Sequence, residues 1–92
     1  MEFQHEQERI FALDEQGKLI AEVTFPTVDG VATIDHTFVD DSLRGQGVAG
    51  QLLQAATEQL RAGCVQVKPT CTYAVRWFEE HPESGDLLCE RG

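Results

Sequence analysis

The sequence predicts an α+β fold in the order β-β-β-α-β-α, with a mixed, mostly antiparallel sheet and two helices. Three observations predict it. Leu19, Ala21, Val23 and Phe25 alternate with mostly polar residues, the period of a half-buried strand. Val48, Leu52, Leu53, Ala56 and Leu60 form a stripe at helical spacing. Between that stripe and a second one lies a short β-prone run, Cys64 to Val67. Strands followed by helices, with one strand-helix-strand crossover, make an α+β chain.

The elements follow in order. Ile10 to Leu13 is a short apolar strand, and Asp14-Glu15-Gln16-Gly17 is a turn whose glycine accepts positive φ. Leu19 to Phe25 is the second strand. The Asp29-Gly30 pair after Val28 signals a tight turn into a third strand, Val31 to Val39. In that strand Ala32, Ile34 and Phe38 share one face with His36, and Thr33, Asp35 and Thr37 share the other. The first helix ends with Arg61 in its last turn and Gly63 beyond it. Pro69 stops the next strand, on which Cys64 is expected to lie. Ala74, Trp77, Phe78 and His81, at i, i+3, i+4 and i+7, mark a second amphipathic helix that Pro82 ends. From Glu83 the chain reads as a loose acidic tail. No repeat, low-complexity tract or linker interrupts residues 1–92, so a single small domain is expected.

Composition narrows the functional classes. Of 92 residues, 41% are hydrophobic and 25% charged, ordinary for a globular protein. Sixteen acidic against seven basic residues give a net charge of -9. Such a surface repels phosphate backbones, which argues against nucleic acid as a partner, and it attracts cations such as amines or serves only solubility. No apolar run approaches the ~20 residues of a membrane span. The opening Met1-Glu2-Phe3-Gln4-His5-Glu6 lacks the basic and apolar regions of a signal peptide, so a cytoplasmic location is expected. Cys64, Cys71 and Cys89 are odd in number and lack Cys-x-x-Cys spacing, and His5, His36 and His81 are scattered. Neither a disulfide framework nor a metal site is expected.

Chemistry concentrates in Arg44-Gly45-Gln46-Gly47-Val48-Ala49-Gly50. Three glycines in six residues let the main chain turn sharply and let a ligand approach it. The helix that follows aims unpaired N–H groups and the positive end of its dipole into the turn. The result suits a phosphate, with Arg44 adding a formal charge. No Gly-Lys-Ser/Thr follows, so this is not a Walker A loop. Gly45, Gly47 and Gly50 match Gly-x-Gly-x-x-Gly, but after an antiparallel meander rather than the first strand of a parallel sheet. On the glycines alone, a plain strand-to-helix connection explains the turn equally well.

Arg44-Gly45-Gln46-Gly47-Val48-Ala49 resembles the Arg/Gln-x-x-Gly-x-Gly/Ala signature of the GNAT superfamily of acyl-CoA-dependent N-acyltransferases. Three further segments, His36-Thr37-Phe38-Val39, Pro69-Thr70-Cys71-Thr72-Tyr73 and His81-Pro82-Glu83, resemble the motifs of a short YjdJ-type subgroup, in order. The resemblance spans about residues 19 to 88 and implies a minimal GNAT-like fold. It implies acetyl-CoA as co-substrate, with its pyrophosphate on the main chain of Arg44, Gly45, Gln46, Gly47, Val48, Ala49 and Gly50. It also implies that the third strand splays from the strand after the first helix, exposing Phe38 and Val39 to the pantetheine arm. The superfamily at large carries two helices between its first two strands, which help form the acceptor pocket. This chain has only a turn there, so the amine is left open: a small amine, a polyamine, an antibiotic or a protein lysine.

The same resemblance places Cys71 near the thioester sulfur. Its position at a helix start favours a thiolate, making it a candidate transient acyl acceptor. The alternative is a small residue packed beside the cofactor, with transfer passing directly to the amine. His36 is the candidate base, because imidazole titrates near neutrality unaided. Sharing a side with Ile34 and Phe38, it reads equally as a core histidine. Tyr73 matches a tyrosine thought to protonate the leaving thiolate, or else packs on the sheet. Two further readings share the sequence: a coenzyme A sensor without turnover, and an acidic module that docks a basic partner.

Overall fold

A computed structural model describes residues 2–89. The elements are β1 (Gln4–Glu6), β2 (Arg9–Leu13), β3 (Leu19–Thr24), β4 (Thr27–Val28), β5 (Val31–Ile34), β6 (His36–Val39), α1 (Val48–Ala62), β7 (Gln66–Pro69) and α2 (Thr72–Glu80), with short 3-10 helices at Asp41–Leu43 and Pro82–Leu87. This is the expected α+β order, with additions. β1 was not legible because its three residues are polar and exposed, held only by pairing with β2.

The strands form two sheets, β1-β2-β3-β6 and β4-β5-β7. The first is antiparallel throughout, and β5 runs parallel to β7 in the second. The expected continuous third strand is therefore two strands, broken at Asp35. Before the break, Val31 to Ile34 pair with Gln66 to Pro69. After it, His36 to Val39 pair with Thr24 to Ala21. Asp35 pins the junction by accepting from the Thr24 hydroxyl (2.6 Å). Pro69 closes the parallel ladder because it has no N–H, and Thr70 and Cys71 both donate to the Ile34 carbonyl instead (3.0 and 3.2 Å). From this point β6 and β7 diverge.

Turn chemistry behaves as the residue types require. Asp29 (φ 51°) and Gly30 (φ 78°) both take positive φ in the two-residue link between β4 and β5. α1 buries Val48, Leu52, Leu53, Ala56, Thr57 and Leu60 against the strands, and α2 adds Ala74, Trp77 and Phe78. The strands meet them with Ile10, Ala12, Ala21, Val23, Phe25, Ala32 and Ile34, each 0% exposed. Each large apolar side chain so buried contributes about 1.5–3 kcal/mol.

Two expectations at the C-terminal end are corrected. The segment from Glu83 is not loose: Pro82–Leu87 is a 3-10 helix with Ser84 and Leu87 buried. The Arg61 guanidinium grips the Asp86 carboxylate through two nitrogens, and Leu88 bridges to Val67. Cys64 lies outside β7, exposed at φ 57° in the turn after α1. No described helix is long and apolar enough to cross a membrane.

Candidate active site

The head of α1 is built as the glycines demand. Gly45 and Gly47 adopt left-handed backbone (φ 83° and 69°), and Gly47 is the residue that starts the helix. An L-residue in this conformation costs roughly 1–2 kcal/mol, which explains glycine at both positions. No side chain caps α1. The first intrahelical bond at this end runs from Gln51 N–H to the Gly47 carbonyl (3.1 Å), leaving the N–H groups of Val48, Ala49 and Gly50 without helical acceptors. The space where a Cβ on Gly45 or Gly47 would stand is open. A hollow of about 310 Å³ sits there, lined by Val39, Asp40, Asp41, Leu43, Arg44, Gly45, Gly47, Val48, Ala49 and Tyr73.

The acids in this hollow are already engaged. Asp40 accepts from the Ser42 N–H (3.1 Å) and hydroxyl (2.6 Å), which caps the 3-10 helix. Those bonds, with Lys18 nearby, hold its carboxyl below the usual carboxylate range. Arg44 pairs with Asp41 at 3.2 Å, but both side chains are more than four-fifths exposed. Exposed pairs are worth about 0–1 kcal/mol, so the guanidinium is free to turn to an anion. The Gln46 N–H is spent on the Leu43 carbonyl (3.2 Å). Gly50 lies within α1, where the Tyr73 hydroxyl comes within 4.0 Å of the position of an added Cβ. Tyr73 is 43% exposed and stands beside the helix head, lining the hollow together with Val39 of β6.

Beyond the hollow lies the wedge between β6 and β7. The Asp40 N–H bonds the Ile20 carbonyl (2.8 Å), which fixes the alternation of the β3–β6 ladder. The N–H and C=O groups of Phe38 turn toward β3, and those of Thr37 and Val39 turn toward the wedge. Val39 is common to the wedge and the hollow. At the closed end, Cys71 starts α2 as its N-cap, with Sγ accepting from the Ala74 N–H (3.3 Å). The Thr37 hydroxyl meets the same sulfur at 3.4 Å. Thr37 escaped the sequence reading because a continuous third strand put it on the side of Thr33 and Asp35. The break at Asp35 resets the alternation.

The same break moves His36. It does not share a face with the buried Ile34; its side chain is 55% exposed and lies 3.6 Å from Glu22, which also binds Arg9. Phe38 lies on this side too, opposite Glu22 in the ladder. The sheet thus separates Cys71 and Thr37 on the helix side from His36 and Phe38 on the other, both close to the tip of the wedge. Trp77 and Phe78 are buried as expected, 3% and 5% exposed.

Residues 9–87 match the family model of GCN5-related N-acetyl-transferases. No curated protein is similar enough in sequence to count as a match. Among solved structures, the chain is similar to a GCN5-like protein from Staphylococcus aureus studied in solution, at 30% identity and TM-score 0.79, over 96% of this chain and 87% of the other. A GNAT-family N-acetyltransferase from Escherichia coli, solved in complex with CoA, is similar at 27% identity and TM-score 0.63, over 74% of this chain and 42% of its own. The ribosomal-protein-S18-alanine N-acetyltransferase of Escherichia coli shares the fold at 22% identity and TM-score 0.65, over 84% and 53%. The chain spans about half the length of these two larger enzymes and nearly all of the staphylococcal protein.

Proposed function

Because the chain belongs to the GCN5-related N-acetyltransferase family, we propose that it moves an acetyl group from acetyl-CoA to an amine at the wedge between β6 and β7. The observation that carries this reading is a continuity. An anion seat at the head of α1 shares Val39 with a wedge whose closed end holds a cysteine sulfur. The near-complete coverage of the short staphylococcal protein also supports placement in a short subgroup without the two helices of larger members.

On this reading the diphosphate of coenzyme A sits on the N–H groups of Val48, Ala49 and Gly50, with Arg44 swung from Asp41. The pantetheine arm lies along the open edge of β6, using main-chain groups of Val39. The thioester then reaches Cys71. Its sulfur attacks the acetyl carbonyl carbon and the bond from that carbon to the coenzyme A sulfur breaks; Tyr73 is the candidate donor of a proton to the departing sulfur, and the proton released by the Cys71 thiol restores the phenol. The amine attacks the new thioester, gives its proton to His36, and the Cys71 thiolate leaves. The main-chain N–H groups at the wedge are the donors placed for the carbonyl oxygen in both steps. The wedge is reached from the sheet face that carries His36, Glu22 and Phe38, because no helix follows β2 there. With a net charge of -9, a cationic amine is the favoured acceptor class.

The test is release of free thiol from acetyl-CoA, measured with the purified protein across small amines, polyamines and lysine peptides. Thiol release that depends on one class of amine supports the proposal. Tight coenzyme A binding without release from any of them favours a sensor, and no binding at all ends the reading.

A further inference from the structure

We propose that Thr37 is the positioning residue for Cys71, holding its sulfur at the closed end of the wedge in both protonation states. The inference rests on the reading of Cys71 as acyl acceptor and adds a residue to that site. Cys71 and Thr37 are 34 positions apart in sequence, and they meet only because Asp35 breaks the strand and Pro69 ends the parallel ladder. The sulfur has two polar partners, the Ala74 N–H at 3.3 Å and the Thr37 hydroxyl at 3.4 Å. The first partner can only donate. The second is a hydroxyl, which rotates, so it accepts from the thiol and donates to the thiolate without any heavy atom moving. Its β-branched side chain stands on a paired strand and is stiff at χ1, so this partner is held in place before any reaction. Two fixed partners on the protein side leave one lone pair of the sulfur free, in thiol and thiolate alike, for an acyl carbon arriving in the wedge. Preorganisation of this kind matters most while charge forms on the sulfur.

The test needs no turnover. Alkylation of Cys71 by iodoacetamide at neutral pH is followed peptide by peptide in the full chain, without acetyl-CoA, with exposed Cys64 as internal reference. Thr37→Val keeps the shape and removes the hydroxyl, and Thr37→Ser keeps the hydroxyl and removes the methyl. Without the hydroxyl, the charge on the reacting sulfur loses one of its two donors, so T37V is expected to react about threefold more slowly at Cys71. T37S is expected to stay within about twofold of the parent, and Cys64 to be unchanged in both. A T37V rate equal to or faster than the parent's overturns the proposal. Equal slowing in T37V and T37S also overturns it, because packing would then explain the effect. If T37V does not fold, shown by loss of the parent's far-UV circular dichroism and cooperative melting, Thr37→Ala takes its place with the same expectations. A protein that releases no thiol from acetyl-CoA yet shows the slowed T37V alkylation refutes the transfer reading and leaves the positioning role standing.

Discussion

At the scale of single residues, the site rests on backbone conformation at Gly47 and on the surroundings of one sulfur. Gly47 at φ 69° opens α1 without a side-chain cap. Gly47→Val is expected to cost about 1–2 kcal/mol in stability from the left-handed strain, seen as a lower midpoint in urea at unchanged slope. The same variant should weaken coenzyme A binding more than it weakens the fold, because its side chain occupies the hollow. Cys71→Ala should lower amine-dependent thiol release by at least about a hundredfold if the sulfur carries the acetyl group. Unchanged turnover would assign direct transfer. The glycines were legible because conformation restricts them to few residue types. Thr37 was not, since its role depends on which face of a strand it occupies, and one unpaired residue at Asp35 reverses that face. His36 suffered the same inversion.

At the scale of elements, the helices were legible and the sheets only in part. The stripe from Val48 to Leu60 and the spacing of Ala74, Trp77 and Phe78 gave both helices because their buried faces carry a clear period. Leu52→Ala, at a fully buried position of α1, should cost about 2–5 kcal/mol by chemical denaturation. Long-range pairing has no such local signature. Two sheets meet within what reads as one strand, and the 3-10 helix at Pro82–Leu87 is fixed by Arg61 on a distant helix. Hydrogen bonding to Arg61 holds the Asp86 carboxyl below its usual range. A carboxyl with a depressed folded-state pKa adds stability above its unfolded value and loses it as pH falls through the lower folded one. The melting temperature of Asp86→Asn should therefore lie below the parent's at neutral pH. That gap should begin to narrow below about pH 4, where the unfolded carboxyl takes up its proton, and close once pH has fallen below the lower folded value. A gap that persists at pH 2 would mean the pair acts through packing instead.

At the scale of the whole molecule, helices pack the sheet on the side of Cys71, and no described helix packs it on the side of His36. The acidic surface and the open face carrying Glu22 and His36 together favour a cationic acceptor, and salt should then raise the apparent KM for the amine more than that for acetyl-CoA. Ligand binding should also be visible as stability. Acetyl-CoA at 100 times its Kd adds about 2.7 kcal/mol, which for a domain of this size moves the melting temperature by on the order of 10 °C. One proposed interaction underlies all of this: main-chain donors at the start of α1 holding the diphosphate. The most direct measurement is an amide NMR titration comparing acetyl-CoA with S-acetylpantetheine, which carries the thioester arm and no diphosphate. The amides of Val48, Ala49 and Gly50 should move strongly with the first and scarcely with the second, while those of Thr37 and Val39 should respond to both. Saturation by acetyl-CoA with the amides of Val48, Ala49 and Gly50 unmoved would contradict it.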